Sequence, residues 1–128
     1  MIRATGLNSR RARPWSRFLV ASAPGGELVA CGQVKPHSEG TRELASIAVH
    51  PDWRGRGLAR EVVTRLLVGA TRPIYLTCRS DLEPFYVKFG FRSLASAELT
   101  PYFRRIQKLA NLMMFREGMT LSVMRLDL

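Results

Sequence analysis

The sequence is poor in several things that would point to particular chemistry. It holds two cysteines, two histidines and no apolar run near the roughly 18 residues that span a bilayer as a helix. Cys31 and Cys78 each lie inside an apolar, strand-like segment, so they read as small buried thiols rather than a disulfide framework or a catalytic thiol. His37 and His50 stand far apart without a cysteine or carboxylate at ligand spacing, which leaves no metal site and makes both loop histidines. The opening Met1-Ile2-Arg3-Ala4-Thr5-Gly6 lacks the apolar stretch of a secretion signal. No internal repeat, long linker or low-complexity segment interrupts the chain. The expectation is one soluble, cytoplasmic domain over residues 1–128 with no membrane span.

Acidic residues are also scarce: 10 Asp and Glu face 20 Lys and Arg, a net charge of +10. Such basicity fits nucleic acid, an anionic membrane surface or an anionic small ligand. Met1 to Gly26 contains five arginines and no acid, so residues 1–16 read as a flexible basic arm or an organelle-targeting leader. Base-reading motifs and an aromatic stacking array are lacking, which argues against nucleic acid as the main partner.

What is present is a regular alternation of apolar segments. Arg17 to Ala23 and Leu28 to Val34 flank the turn signal Pro24-Gly25-Gly26-Glu27 and predict a hairpin. Glu43 to His50 predicts a strand buried on both faces and stopped by Pro51-Asp52. From Gly57 to about Val68, Leu58, Val62 and Leu66, with Ala59, Val63 and Leu67 beside them, mark one face of a helix that Gly69 ends. Ile74 to Cys78 predicts another buried strand. Ser80 and Glu83 form a capping-box pattern opening a short helix that carries Phe85, Tyr86 and Phe89, with Gly90 as its stop and a strand from Phe91 to Leu94. Pro101 to Phe115 reads as a basic amphipathic helix burying Tyr102, Ile106, Leu109 and Met113, and Met119 to Leu126 closes the chain as a strand. The order β β β α β α β α β predicts an α/β (α+β) fold, a mixed, mainly antiparallel central sheet with helices packed on it.

The stretch Val49-His50-Pro51-Asp52-Trp53-Arg54-Gly55-Arg56-Gly57-Leu58-Ala59 is the most informative. A helix N-terminus presents unpaired N–H groups and the positive end of the helix dipole, so a glycine-containing turn leading into one suits an anion. Gly55 and Gly57 let backbone approach a pyrophosphate, and Arg54 and Arg56 add charge for its oxygens. The alternative on glycine spacing alone is a strand-to-helix turn beside two surface arginines.

Arg54, Gly57 and Ala59 make an Arg-x-x-Gly-x-Ala pattern, preceded by a strand ending Val-x-Pro at Val49 and Pro51. Together with Phe85-Tyr86-Val87-Lys88-Phe89-Gly90-Phe91 beyond the next strand, this resembles the GNAT N-acetyltransferase superfamily over roughly residues 17–94. The resemblance implies acetyl-CoA as co-substrate, with no metal, and transfer of its acetyl group to a primary amine through a ternary complex. Backbone groups near Ile47, Ala48 and Val49 would pair with the pantetheine arm as an added strand does. Residues Arg54, Gly55, Arg56, Gly57, Leu58 and Ala59 would hold the pyrophosphate, and an N–H near Val49 would polarise the thioester carbonyl. Tyr86 would protonate the leaving thiolate, and Glu43, six residues before Val49, would draw a proton from the amine directly or through water.

The sequence departs from the family pattern at three places. About 16 residues precede the first clear strand where the superfamily has a strand and two helices, so part of the acceptor wall is expected to be rudimentary, or borrowed in a homodimer. Arg79 stands where many relatives carry an Asn that contacts the CoA arm, and it is a candidate phosphate contact. The helix from Pro101 is an addition. A non-catalytic acyl-CoA-binding or regulatory module is the alternative in a different class, followed by a basic nucleic-acid-associated protein. The acceptor is not legible in the sequence.

Overall fold

Apolar runs punctuated by glycine turns fold as strands in the computed structural model, which describes residues 3–6, 18–37, 40–113 and 120–127. The chain divides into two units, residues 1–71 and 72–128.

In the first unit, β2 (Phe18–Ser22) and β3 (Leu28–Pro36) form the expected antiparallel hairpin. Its turn closes through bonds from Gly26 N–H to the Ala23 carbonyl and from Ala23 N–H to the Glu27 carbonyl, both 2.8 Å, with Gly26 at φ 88°. β4 (Arg42–Val49) pairs with the other edge of β3. The basic arm expected over residues 1–16 needs correction in part. Residues Arg3–Gly6 are a strand, β1, paired antiparallel with β2 from Arg3 opposite Ser22 to Gly6 opposite Leu19. The open edge of β2 supplies the backbone partners, a long-range cause that four residues of local sequence do not reveal. Residues 7–16 lie outside the described residues.

One helix, α1 (Leu58–Val68), covers this sheet and buries Leu58, Val62, Val63 and Leu67. Val62 and Val63 are wholly enclosed, which stabilises by roughly 1.5–3 kcal/mol per side chain. The helix approaches closely because position 32 has no side chain. A Cβ there would stand 2.5 Å from Ile47 Cδ1, 2.9 Å from Val62 Cγ1 and 3.0 Å from Leu66 Cδ1.

The second unit is built on β5 (Ile74–Arg79), β6 (Arg92–Ser93) and β7 (Leu121–Leu126), with β7 antiparallel to both others. Tyr75, Leu94, Leu99 and Val123 enclose Phe103 of α3 (Pro101–Met113), whose ring stacks on Tyr75 at 5.0 Å between centroids and 13° between planes. The face expected for α3 holds at Tyr102 and Ile106, both half-buried, and is corrected beyond them: Leu109, Leu112 and Met113 are exposed, while Gln107 and Asn111 turn inward. Gln107 Nε2–H donates to the Leu121 carbonyl at 3.1 Å, and the Leu121 N–H donates to Asn111 Oδ1 at 2.7 Å. Two amides one helical turn apart thus serve the backbone of β7 as a neighbouring strand would, outweighing burial of the larger apolar groups.

The capping box at Ser80 is also corrected. A 3₁₀ turn at Ser80–Leu82 precedes α2 (Glu83–Val87), and neither has a side-chain cap. Glu83 instead accepts hydrogen bonds from the Ser93 hydroxyl and from the Ser122 hydroxyl, the latter at 2.7 Å, tying α2 to β6 and β7. These two hydroxyls hold its carboxyl below the usual Glu range.

Two measurements check this account. Gly32→Val drives methyls into three side chains, and its urea midpoint should fall by an amount equivalent to about 1–3 kcal/mol; an unchanged midpoint would mean α1 does not rest on residue 32. Because the folded-state pKa of Glu83 is depressed, its stabilisation is present above the unfolded value of about 4.3 and is lost as pH falls through the folded value. Glu83→Gln should therefore lower stability at pH 7, and the deficit should shrink on acidification; a deficit equal at pH 7 and pH 3 contradicts the clamp.

Candidate functional site

The end of β4 and the start of α1 are joined by eight residues folded against the sheet. The His50 N–H donates to the Val29 carbonyl at 2.7 Å, holding the chain end to β3. A 3₁₀ turn follows at Pro51–Trp53, where His50 Nδ1 accepts from the Asp52 N–H at 3.1 Å. The loop histidine read from the sequence is thus a turn cap. Gly55 and Gly57 then take φ of 78° and 77°, the left-handed region that side chains resist, and a Cβ on either would meet no atom within 4 Å. The glycines are required by backbone conformation, and the space above them is open.

Gly57 is the N-cap of α1 and supplies no side-chain acceptor, while its carbonyl accepts from the Glu61 N–H at 3.0 Å. The N–H groups of Leu58 and Ala59 therefore begin a helix that no side chain caps. Arg56 lies over the Trp53 ring, 4.4 Å from its centroid, and neither Arg54 nor Arg56 has an ion-pair partner among the described residues. The arrangement is an electropositive turn open to solvent, able to take an anion.

The strand leading there carries a feature that sequence reasoning missed. Cys31 pairs with Ala48 but Gln33 with Ala45, so β4 holds one extra residue opposite β3, a bulge at which Ser46 has φ 58°. Gln33 Nε2 donates to Ser46 Oγ at 3.0 Å, and Cys31 Sγ contacts the Ser46 carbonyl at 3.5 Å. A left-handed serine is strained by about 1–2 kcal/mol, and these contacts hold it. By this shift Leu44, Ile47 and Val49 share the face toward α1, which strict alternation would deny to Leu44. The expectation that β4 is buried on both faces is corrected, because Ser46 and Ala48 are exposed on its other face. The only local signal was a serine within Leu44-Ala45-Ser46-Ile47-Ala48-Val49. A shallow pocket of about 270 Å³ lies over Leu28 to Cys31 and Ala48 to His50. A larger one of about 400 Å³, at the far end of α1 beside Arg42 and Gly69, holds none of the expected site residues.

Glu43 sits toward the start of β4, on the face away from α1. It is not an exposed strand-end carboxylate: it is buried, 2.6 Å from His37 Nε2 and 4.0 Å from Lys35 Nζ. His37 is the partner sequence reasoning missed, and the signal was its place six residues ahead of Glu43 across the turn from β3. Cys31 is only partly buried, so the reading of both cysteines as buried thiols holds for Cys78 alone.

In the second unit, Tyr86 of α2 is 8% exposed and meets Phe85 and Phe91 edge-on at 5.0 and 6.1 Å. Its hydroxyl has no hydrogen-bond partner among the described residues. Burial raises its pKa above 10, with the Cys78 sulfur contributing less. Cys78 is itself pushed up to about 11, chiefly by burial, which keeps it a thiol and unsuited to carry an acyl group. Arg79 Nε and an outer nitrogen each lie 3.3 Å from an oxygen of Asp81, so that guanidinium is already paired. No group of three or more potential metal ligands occurs among the described residues, and no helix there is long and apolar enough to cross a membrane.

Solved structures share this fold. N-acetylglutamate synthase from Neisseria gonorrhoeae, solved with coenzyme A and N-acetyl-glutamate, superposes with a TM-score of 0.66 at 16% identity over 100% of this chain. The chain spans 36% of that protein's length. Rv2747 from Mycobacterium tuberculosis, solved with CoA, gives 0.66 at 22% identity, covering 89% of this chain and 77% of that one. A putative acyl-CoA N-acyltransferase from Klebsiella pneumoniae gives 0.64 at 17% identity, covering 100% and 97%. These likenesses carry the fold: the expected α/β class, a mixed, mainly antiparallel sheet with helices packed on it. No curated protein matches the sequence. The model of the acetyltransferase (GNAT) domain matches residues 14–93, and the chain therefore belongs to the GNAT acetyltransferase family.

Proposed function

We propose that the protein is an acetyl-CoA-dependent N-acetyltransferase that moves the acetyl group directly to a primary amine. The observation that carries this reading is the uncapped start of α1 behind two left-handed glycines and two arginines without carboxylate partners. Such a turn suits a pyrophosphate, and membership of the family supports reading that pyrophosphate as part of an acyl-CoA. In this reading the β4 edge turned away from β3, at Ile47, Ala48 and Val49, takes the pantetheine arm through backbone hydrogen bonds. An N–H near Val49 polarises the thioester carbonyl.

The amine nitrogen attacks the carbonyl carbon, the C–S bond breaks, and sulfur leaves with the electron pair. Tyr86 gives its proton to that sulfur. Its enclosure holds the proton on oxygen beyond pH 10, so the acid stays loaded across the physiological range. Glu43 takes the proton lost by the amine. Val49 lies six residues along β4, roughly 15–20 Å, so the transfer from an amine near Val49 runs through water to the Glu43 and His37 pair.

Incubating the protein with acetyl-CoA and a panel of amines should release free CoA. The panel should contain glutamate, because N-acetyl-glutamate was bound in the Neisseria synthase. Tyr86→Phe should lower kcat by about 10²-fold or more with little change in KM for acetyl-CoA. An unchanged kcat would remove Tyr86 from the mechanism, and absence of CoA release with any amine would remove transfer. Gly57→Ala forces a Cβ into the left-handed region and should raise KM for acetyl-CoA about tenfold, as a 1.4 kcal/mol loss implies; an unaltered KM would dissociate the turn from the cofactor.

A further inference from the structure

The chain carries twice as many basic as acidic side chains, and its carboxylates are correspondingly paired. Glu43, Asp52, Glu61, Asp81, Glu98 and Asp127 each lie within 4.0 Å of a Lys, Arg or His. Among the described residues only Glu27 and Glu83 lack such a partner. Glu27 is exposed in the β2–β3 turn, where water serves it. Glu83 lines a pocket of about 370 Å³ that lies entirely within the second unit.

The walls of that pocket divide by chemistry. Glu83 presents a carboxylate whose two oxygens already accept the protons of Ser93 and Ser122, so both serine oxygens turn lone pairs outward. Gln107 gives its amide N–H to the Leu121 carbonyl, which leaves Gln107 Oε1 as a further acceptor. Leu94 and Val123, both buried, add apolar surface. These acceptors surround one negative charge, with the side-chain N–H groups of Asn111 and the hydroxyls of Ser96 and Thr120 elsewhere in the lining and Leu94 and Val123 as its apolar part. One carboxylate with neutral oxygens is a poor set for a divalent cation, which demands several oxygen ligands in defined geometry. It matches an ammonium, whose three N–H donors need acceptors and whose carbon stem needs an apolar wall.

We propose that this pocket binds the ammonium group of a small aliphatic amine, with Glu83 as its counter-ion and Leu94 and Val123 against its methylenes. The pocket volume lies in the range of small-molecule sites. The proposal does not depend on acyl transfer, since binding is read without any acyl-CoA.

The test titrates the full chain at pH 7 with butylammonium, 1-butanol and butyrate, following the side-chain amide resonances of Gln107 and Asn111 by NMR. Butylammonium alone should shift them saturably, and Glu83→Gln should weaken its binding at least tenfold. Ser96→Tyr, which adds bulk at an exposed lining position that makes no bond to Glu83, should do the same, so the test survives a Glu83 variant that fails to fold. Equal shifts from butanol and butylammonium, or titration of both variants like the parent, overturn the site. Binding with no CoA release for any amine would leave the site standing and sink the transferase reading; CoA release without such binding would do the reverse.

Discussion

The contact on which the first unit depends is that of α1 with β3 and β4 at Gly32. With no side chain at that position, Ile47, Val62 and Leu66 close over the backbone, and α1 lies tight against the sheet. The bulge at Ser46 completes the fit by keeping Leu44, Ile47 and Val49 on the helix side despite an odd residue between them. Because only eight residues join β4 to α1, this packing also fixes where the helix N-terminus stands relative to the end of β4. The proposed anion-binding turn is therefore a product of core packing as much as of its own glycines.

Much of this was legible locally, for stated reasons. Gly26, Gly55, Gly57 and Gly90 sit at positive φ where turns were read, and the four-residue spacing from Leu58 to Leu66 foretold α1. What was not legible depends on partners distant in sequence. The left-handed Ser46 is held by Gln33, β1 exists through the edge of β2, and Glu43 is buried against His37. In α3 the apolar periodicity was misleading because Gln107 and Asn111 outbid Leu109 and Met113 for the inner face by satisfying the Leu121 backbone. Glu83 looked like a capping residue for the same kind of reason: Ser93 and Ser122 lie 10 and 39 residues on.

The candidate site shows the same division. The turn at Arg54–Ala59 and the element around Tyr86 were readable because they are continuous in sequence. The environment of Tyr86, an aromatic enclosure around a hydroxyl without a hydrogen-bond partner among the described residues, comes from packing in the second unit. The basic excess acquires a more specific meaning as well. Arg65, Arg79, Arg92 and Arg125 are paired with carboxylates, whereas Arg54 and Arg56 at the turn, like Glu83 in the second unit, have no ion-pair partner among the described residues.

The central claim is that the turn from Arg54 to Ala59 holds the pyrophosphate of an acyl-CoA. Calorimetric titration with CoA and, separately, with pantetheine, which carries the same thiol arm but no phosphate, tests it most directly. The account predicts saturable binding of CoA that weakens as salt rises, and binding of pantetheine weaker by at least two orders of magnitude. Equal affinity for the two compounds, or no binding of CoA, would contradict it.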